Sequence, residues 1–205
     1  MSWSTRAASV LALAALLRPA LVAAQGLRAQ FGIGGSLTFP TSFYHVDPNG
    51  DGFTPALYGL AVVDLTLPKR PIGFRLDAST GSNSANDSLK SRLTAAVGAP
   101  TDGKTKLAGV IADVTYNLRP AAAARGYLLA GIGFYNVRFS VTSSGVTVDT
   151  SKTEFAWNVG AGLTIGAGAV AWFVEARYLD VGAFSTIKPT ALVTATGLRF
   201  GIGGT

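Results

Sequence analysis

From residue 28 onward the chain alternates apolar and polar side chains with a period of two, in eight segments of about ten residues bounded by turn formers. Such a period puts successive side chains on opposite faces of an extended strand, so the chain is read as all-β. The first segment, 28–39, sets Phe31, Ile33, Leu37 and Phe39 against Arg28, Gln30, Ser36 and Thr38, and the second, 55–67, sets Leu57, Ala61, Val63, Leu65 and Leu67 against Asp64. The third, 72–80, opposes Ile72, Phe74, Leu76 and Ala78 to Arg75, Asp77 and Ser79, and the fourth, 107–118, opposes Val110, Ala112, Val114, Tyr116 and Leu118 to Asp113, Thr115 and Asn117. The fifth, 127–139, is apolar in both phases, which leaves its facing open. The sixth, 154–166, sets Phe155, Trp157, Val159, Leu163 and Ile165 against Glu154, Asn158 and Thr164. The seventh, 171–180, opposes Trp172, Val174, Ala176 and Tyr178 to Glu175 and Arg177, and the eighth, 192–203, opposes Thr196, Leu198, Phe200 and Ile202 to Gly197, Arg199 and Gly201.

The connections are sorted by length. Long polar stretches (40–54, 81–106, 140–153 and 181–191) follow the odd segments, and short ones (68–71, 119–126 and 167–170) follow the even ones. Short turns on one side and long loops on the other are the layout of an even-stranded transmembrane barrel. A soluble sandwich has no reason to sort its loops, although a lipocalin-like soluble barrel would share the alternation.

Composition decides between them. Only 14% of the 205 residues are charged, against roughly 25% in soluble domains, and the mean hydropathy is +0.36. No apolar run past the first two dozen residues approaches the ~20 needed for a spanning helix. The expected fold is therefore an eight-stranded antiparallel up-and-down transmembrane β-barrel. In lipid, a closed sheet is the only β arrangement that pairs every backbone group. The apolar phase then faces lipid, with aromatics near the segment ends as interfacial girdles. The opposite phase fills a lumen just wide enough for side chains. Asp64, Arg75, Asp77, Asp113, Glu154, Asn158, Glu175, Arg177 and Arg199 are expected to meet there as a polar network, because a buried charge is tolerated when paired. Glycines 32, 34, 35, 109, 131, 133, 160, 162, 197 and 201 leave room in that lumen.

The N-terminus reads as an address. Arg6, the apolar 7–17 and the small residues Val22-Ala23-Ala24 before Gln25 form a secretory signal pattern, so residues 1–24 are expected to be removed on Sec-type export and 25–205 to be the barrel domain.

Phe155-Ala156-Trp157-Asn158-Val159-Gly160-Ala161-Gly162, followed by Phe173-Val174-Glu175-Ala176-Arg177-Tyr178, resembles the paired signature of the small outer-membrane β-barrel domain family, which includes OmpX-like, opacity-type and OmpA-type barrels. Tyr127-Leu128-Leu129-Ala130-Gly131-Ile132-Gly133 resembles its preceding strand. The resemblance is clearest over 107–203. It implies the outer membrane of a Gram-negative-type bacterium, contact with membrane lipid and lipopolysaccharide, and insertion by the assembly machinery as a monomer. Such barrels often end in an aromatic residue; here Phe200 is followed by Gly201-Ile202-Gly203-Gly204-Thr205, which moves that signal inward.

Function is expected to be structural or surface-directed. The alternatives are adhesion or binding through loops 81–106 and 140–153, a narrow solute pore, and a lipid A-modifying enzyme. His45 near Ser42 is the sole imidazole and has no acid placed with it by a recognisable motif, so no enzyme and no cofactor is expected. With no cysteine and one histidine, thiolate and multi-histidine metal sites are absent from the expectation. Asp47, Asn49 and Asp51 sit in a D-x-N-x-D-G stretch that resembles the opening of a calcium loop, but Tyr58 stands where the bidentate acid belongs; a turn is the plainer reading. The cations form no compact cluster interleaved with aromatics, and nucleic acid is not an expected partner.

Overall fold

The computed structural model describes residues 28–46, 50–67, 70–118, 123–166, 169–183 and 188–202. The proposed leader, Asp47, Asn49 and the last three residues lie outside them. Eight antiparallel strands run in chain order and close on themselves: β1 (Arg28–Pro40), β2 (Ala56–Thr66), β3 (Ile72–Ser84), β4 (Thr101–Asn117), β5 (Ala124–Ser143), β6 (Val146–Ile165), β7 (Val170–Val181) and β8 (Thr190–Ile202). Closure is made by β1 and β8, from Ala29 opposite Ile202 to Pro40 opposite Ala191. Both ends of the described chain therefore lie at the short-turn end of the barrel.

The apolar phase points outward. Ile33, Leu57, Phe74, Val110, Ile132, Phe134, Phe155, Trp172 and Leu198 are all exposed, a belt that only lipid can cover. The facing of β5, open from the sequence, is settled by its neighbours. Leu128, Ile132 and Phe134 join the belt, while Leu129, Tyr135 and Val137 are buried in the lumen.

Two connections differ from the expectation of long polar loops. Residues 140–153 are mostly strand: β5 and β6 stay paired up to Ser143 and Val146, and only Ser144-Gly145 turns. Both turn residues have positive φ, 49° and 80°, as a two-residue hairpin of the I′ type demands. β-branched residues carry the ladder outward, and the Thr142 and Thr147 hydroxyls meet at 2.8 Å. Residues 81–106 likewise hold the end of β3, a helix and the start of β4. A one-turn helix, α1 (Ser42–His45), occupies the first long connection, and α2 (Asp87–Val97) the second. α2 is bounded by local chemistry: the Asn86 side chain accepts from the Leu89 N–H at 2.9 Å, and Gly98 closes the helix at φ 76°.

Candidate functional site

The lumen is split into two zones. Near the short-turn end, Asp64, Arg75 and Asp113 stand side by side on β2, β3 and β4, alternating in sign. Arg75 reaches across to Glu175 on β7 with two bonds, 2.7 and 3.1 Å, and bonds Asp77 at 2.5 Å through Nε. Arg177 crosses back to Asp77 at 2.6 Å and also pairs with Glu175. Arg199 pairs with Asp64 at 3.2 Å and donates to Thr164 and to the Tyr127 hydroxyl, which itself donates to Glu175 at 2.6 Å. The Phe173 ring lies under both Arg75 and Arg199, 5.7 and 4.7 Å from their guanidinium carbons. Asp113 and Asn158 sit on either side of Gly131 in register, and a Cβ on Gly131 would overlap the Asp113 carboxylate.

Eight of the nine residues expected in the lumen are buried on its walls. Glu154 is not among them: it lies near the long-connection end and pairs with Lys152 at 2.7 Å. The reason is register. Glu154 shares the lumen phase of β6, but β6 begins to pair with β7 only at Ala156, so Glu154 stands at the barrel's rim.

Above the charges the lumen is mainly apolar. Leu107, Ile111, Val137, Leu179, Val181 and Val193 form a buried cluster with Tyr58 and Tyr135. The cross-lumen pairs of arginine and carboxylate are thus confined to the half of the lumen toward the short turns, while the other half buries neutral polar groups such as Thr38, Asn83 and Thr105. The three lumen tyrosines each lie over a glycine directly opposite on the next strand: Tyr58 on Gly81, Tyr135 on Gly109 and Tyr127 on Gly162. A Cβ at any of these glycines would enter the ring. Between the zones a partly enclosed void of about 20 Å³ touches Ser36, Thr38, Ser79, Tyr135 and Arg177, room for about one water molecule.

The far mouth is capped. Tyr44 of α1, Phe53, Ala85 and Leu89 of α2 form a second apolar cluster, with Leu93 and Phe139 packed on it. Asn83 ties cap to barrel, since its Oδ1 accepts from Tyr44 at 3.1 Å and from Tyr58 at 2.5 Å while its Nδ2 donates to the Thr54 carbonyl. Burial pushes the Tyr44 hydroxyl well above the ordinary tyrosine range, so it stays a donor. Asp51, the one described member of the calcium candidate, accepts from Ser88 and pairs with Arg92 at 2.7 Å, which gives its carboxylate a role as a strut between loop and helix. Ser42 and His45 are both on α1, and His45 is exposed.

Beyond the mouth, β4, β5 and β6 continue as a three-stranded sheet. The edge of β6 from Val146 to Glu154 has no strand beside it among the described residues, and Val146 and Val148 are 67% and 69% exposed.

A family model described as "Outer membrane protein beta-barrel domain" matches residues 8–203. No curated protein sequence matches the chain. Among solved structures, a major outer membrane protein from Thermus thermophilus is similar at a TM-score of 0.54 and 11% identity, covering 85% of this chain and 99% of that one. Neisserial surface protein A is similar at a TM-score of 0.51 and 18% identity, covering 85% and 96%. At these identities the likeness is one of fold.

Proposed function

This chain belongs to the outer membrane protein β-barrel domain family, and we propose that it serves the outer membrane as a monomeric, closed anchor for a rigid surface sheet, with a structural and surface-interaction role. The short turns then face the periplasm and the cap and sheet face outward, after removal of residues 1–24 and insertion by the assembly machinery. The observation that carries the reading is the open β6 edge, held above a mouth that α1 and α2 cover. An exposed edge offers unpaired N–H and C=O groups to an extended segment of a partner, the mode of recognition by strand addition. Conduction finds no support in a lumen that Arg75, Arg177, Asp77 and Glu175 bridge from wall to wall and whose other half is packed mainly with apolar side chains.

The test is to replace residues 141–148 with an Asn-Gly turn. Cells displaying the shortened chain are expected to lose attachment to a panel of immobilised extracellular-matrix proteins. The barrel should keep its heat-modifiable gel migration and its outer-membrane level. Undiminished attachment by the shortened chain would sink the surface-sheet role.

A further inference from the structure

We propose that the short-turn mouth of the barrel binds peptide carboxylates, and that its partner is the carboxylate-bearing stem peptides of a cell wall beneath the outer membrane. This rests on the orientation given above and adds a partner on the side away from the cap. The two ends of the molecule differ in charge. The long-connection end mixes its bases with Asp51, Asp87, Asp102, Asp149, Glu154 and Asp180. At the other end, 28–31, 66–73, 117–126, 164–172 and 200–205 hold Arg28, Lys69, Arg70, Arg119 and Arg125 and no acid. Two of these cations are on the lumen phase: Arg28 is in step with Gly32 on β1, and Arg125 with Tyr127 and Leu129 on β5. β1 and β5 are four strands apart in a ring of eight, so the two arginines stand on facing walls. Arg28 lies opposite Thr66, and Arg125 opposite Thr164, whose hydroxyl receives Arg199. The arginines that act on half-buried Arg125 are Arg199 and Arg28, both of its own sign. Asp64 is taken by Arg199 at 3.2 Å, and neither Arg28 nor Arg125 has an ion-pair partner among the described residues.

Like charges facing each other across a mouth repel, and an anion between them turns the repulsion into attraction. The direction of the side chains selects the source of that anion. Lumen-phase residues point at the barrel axis, whereas lipid headgroups surround the outward phase, so the ligand enters along the axis from the water. Its shape is also limited. An eight-stranded lumen is only wide enough for side chains, and Arg199, opposite Gly32 on β1, closes it four residues in from Arg28. Such a shallow, narrow mouth takes the end of a chain and not its middle. A guanidinium holds a carboxylate by two parallel bonds, and the side chains of Gln30 and Thr66 stand on the same phase beside Arg28. The terminal carboxylate of a short peptide meets these limits. The short connections add Lys69, Arg70 and Arg119, so this end favours a polyanion over a single acid. A polymer that carries many peptide ends supplies both the carboxylate and the high local concentration.

Refolded protein in neutral detergent is mixed with purified cell-wall sacculi and sedimented, and the bound fraction is followed against protein concentration. The parent is expected to co-sediment, and sacculi whose carboxylates have been converted to methylamides should leave it in solution. R28Q/R125Q should weaken binding by at least about tenfold, the scale of losing one charge-assisted hydrogen bond. That variant leaves every charged pair of the lumen in place, so its heat-modifiable migration should persist. K104Q/K106Q, which removes the same charge from the other end, should bind like the parent. Phosphatidylglycerol added to the micelles should not compete. No binding by the parent, equal losses in both double variants, binding that survives methylamidation, or release by phosphatidylglycerol would each overturn the site. Orientation is read separately. The chain has no cysteine, so T150C on intact cells should react with an impermeant maleimide. Unlabelled cells would overturn the orientation itself, whereas labelled cells whose protein ignores sacculi would overturn the site alone.

Discussion

The two halves of the lumen are built from the same strands and the same alternation, yet one is held by charge and the other by apolar packing. Toward the short turns, Glu175 receives Arg75, Arg177 and Tyr127 together, so the strands on opposite walls are tied by groups that cannot be left alone. Toward the long connections, Leu107, Ile111, Val137 and Val181 fill the same kind of space by apolar packing, with no charged pair among them. The difference teaches where each half is vulnerable. A charged plug fails when one partner is lost, because the others remain buried and unpaired. An apolar plug fails in proportion to the volume removed.

The largest expected effect follows from Glu175→Ala, which strands two arginines and a tyrosine. Unfolding by urea in detergent, followed by tryptophan emission, should show a loss of about 3–5 kcal/mol. Ile111→Ala in the upper half should cost about 2–4 kcal/mol in the same assay. Ile111→Val, which removes one methylene, should cost only about 0.5–1.5 kcal/mol. If it costs as much as Ile111→Ala, the upper half is not held by graded apolar packing and the division into charged and apolar halves is wrong. Gly162→Ala drives a methyl into the Tyr127 ring and is expected to cost about 1–3 kcal/mol. In a Tyr127→Ala background that cost should nearly vanish, and a double-mutant cycle would read the coupling. Tyr135→Phe removes only the 2.6 Å bond with Ser79 and should cost about 1 kcal/mol. A larger loss would mean that this hydroxyl holds the boundary between the halves.

The strand count, the barrel and most of the charged lumen are legible because period-two alternation and the phase of each in-strand charge survive in the linear sequence. What stays hidden depends on register. Nothing in the sequence says that Gly81, Gly109 and Gly162 lie opposite Tyr58, Tyr135 and Tyr127, since each pair is joined only across a ladder. Glu154 shares the phase of Asn158, and only the late start of pairing between β6 and β7 puts it outside the network. The double apolar phase of β5 is ambiguous in sequence because its upper part borders two apolar environments, lipid on one side and the upper lumen on the other. The serines and threonines of 140–153 resemble a polar loop, although Ser144-Gly145 between runs of β-branched residues is a hairpin signal. The capping residues of α2, Asn86 and Gly98, are also visible in the sequence, but a surrounding stretch rich in serine and asparagine masks them as loop.

The central claim is that charge pairing below and apolar packing above close this barrel, leaving its outward surfaces to act. Single-channel recording of the refolded protein in planar lipid bilayers tests it most directly. The wild-type chain is expected to leave the current at the level of the bare bilayer across the applied voltage range. A steady, reproducible unitary conductance would contradict the closed lumen and return the chain to the solute-pore class.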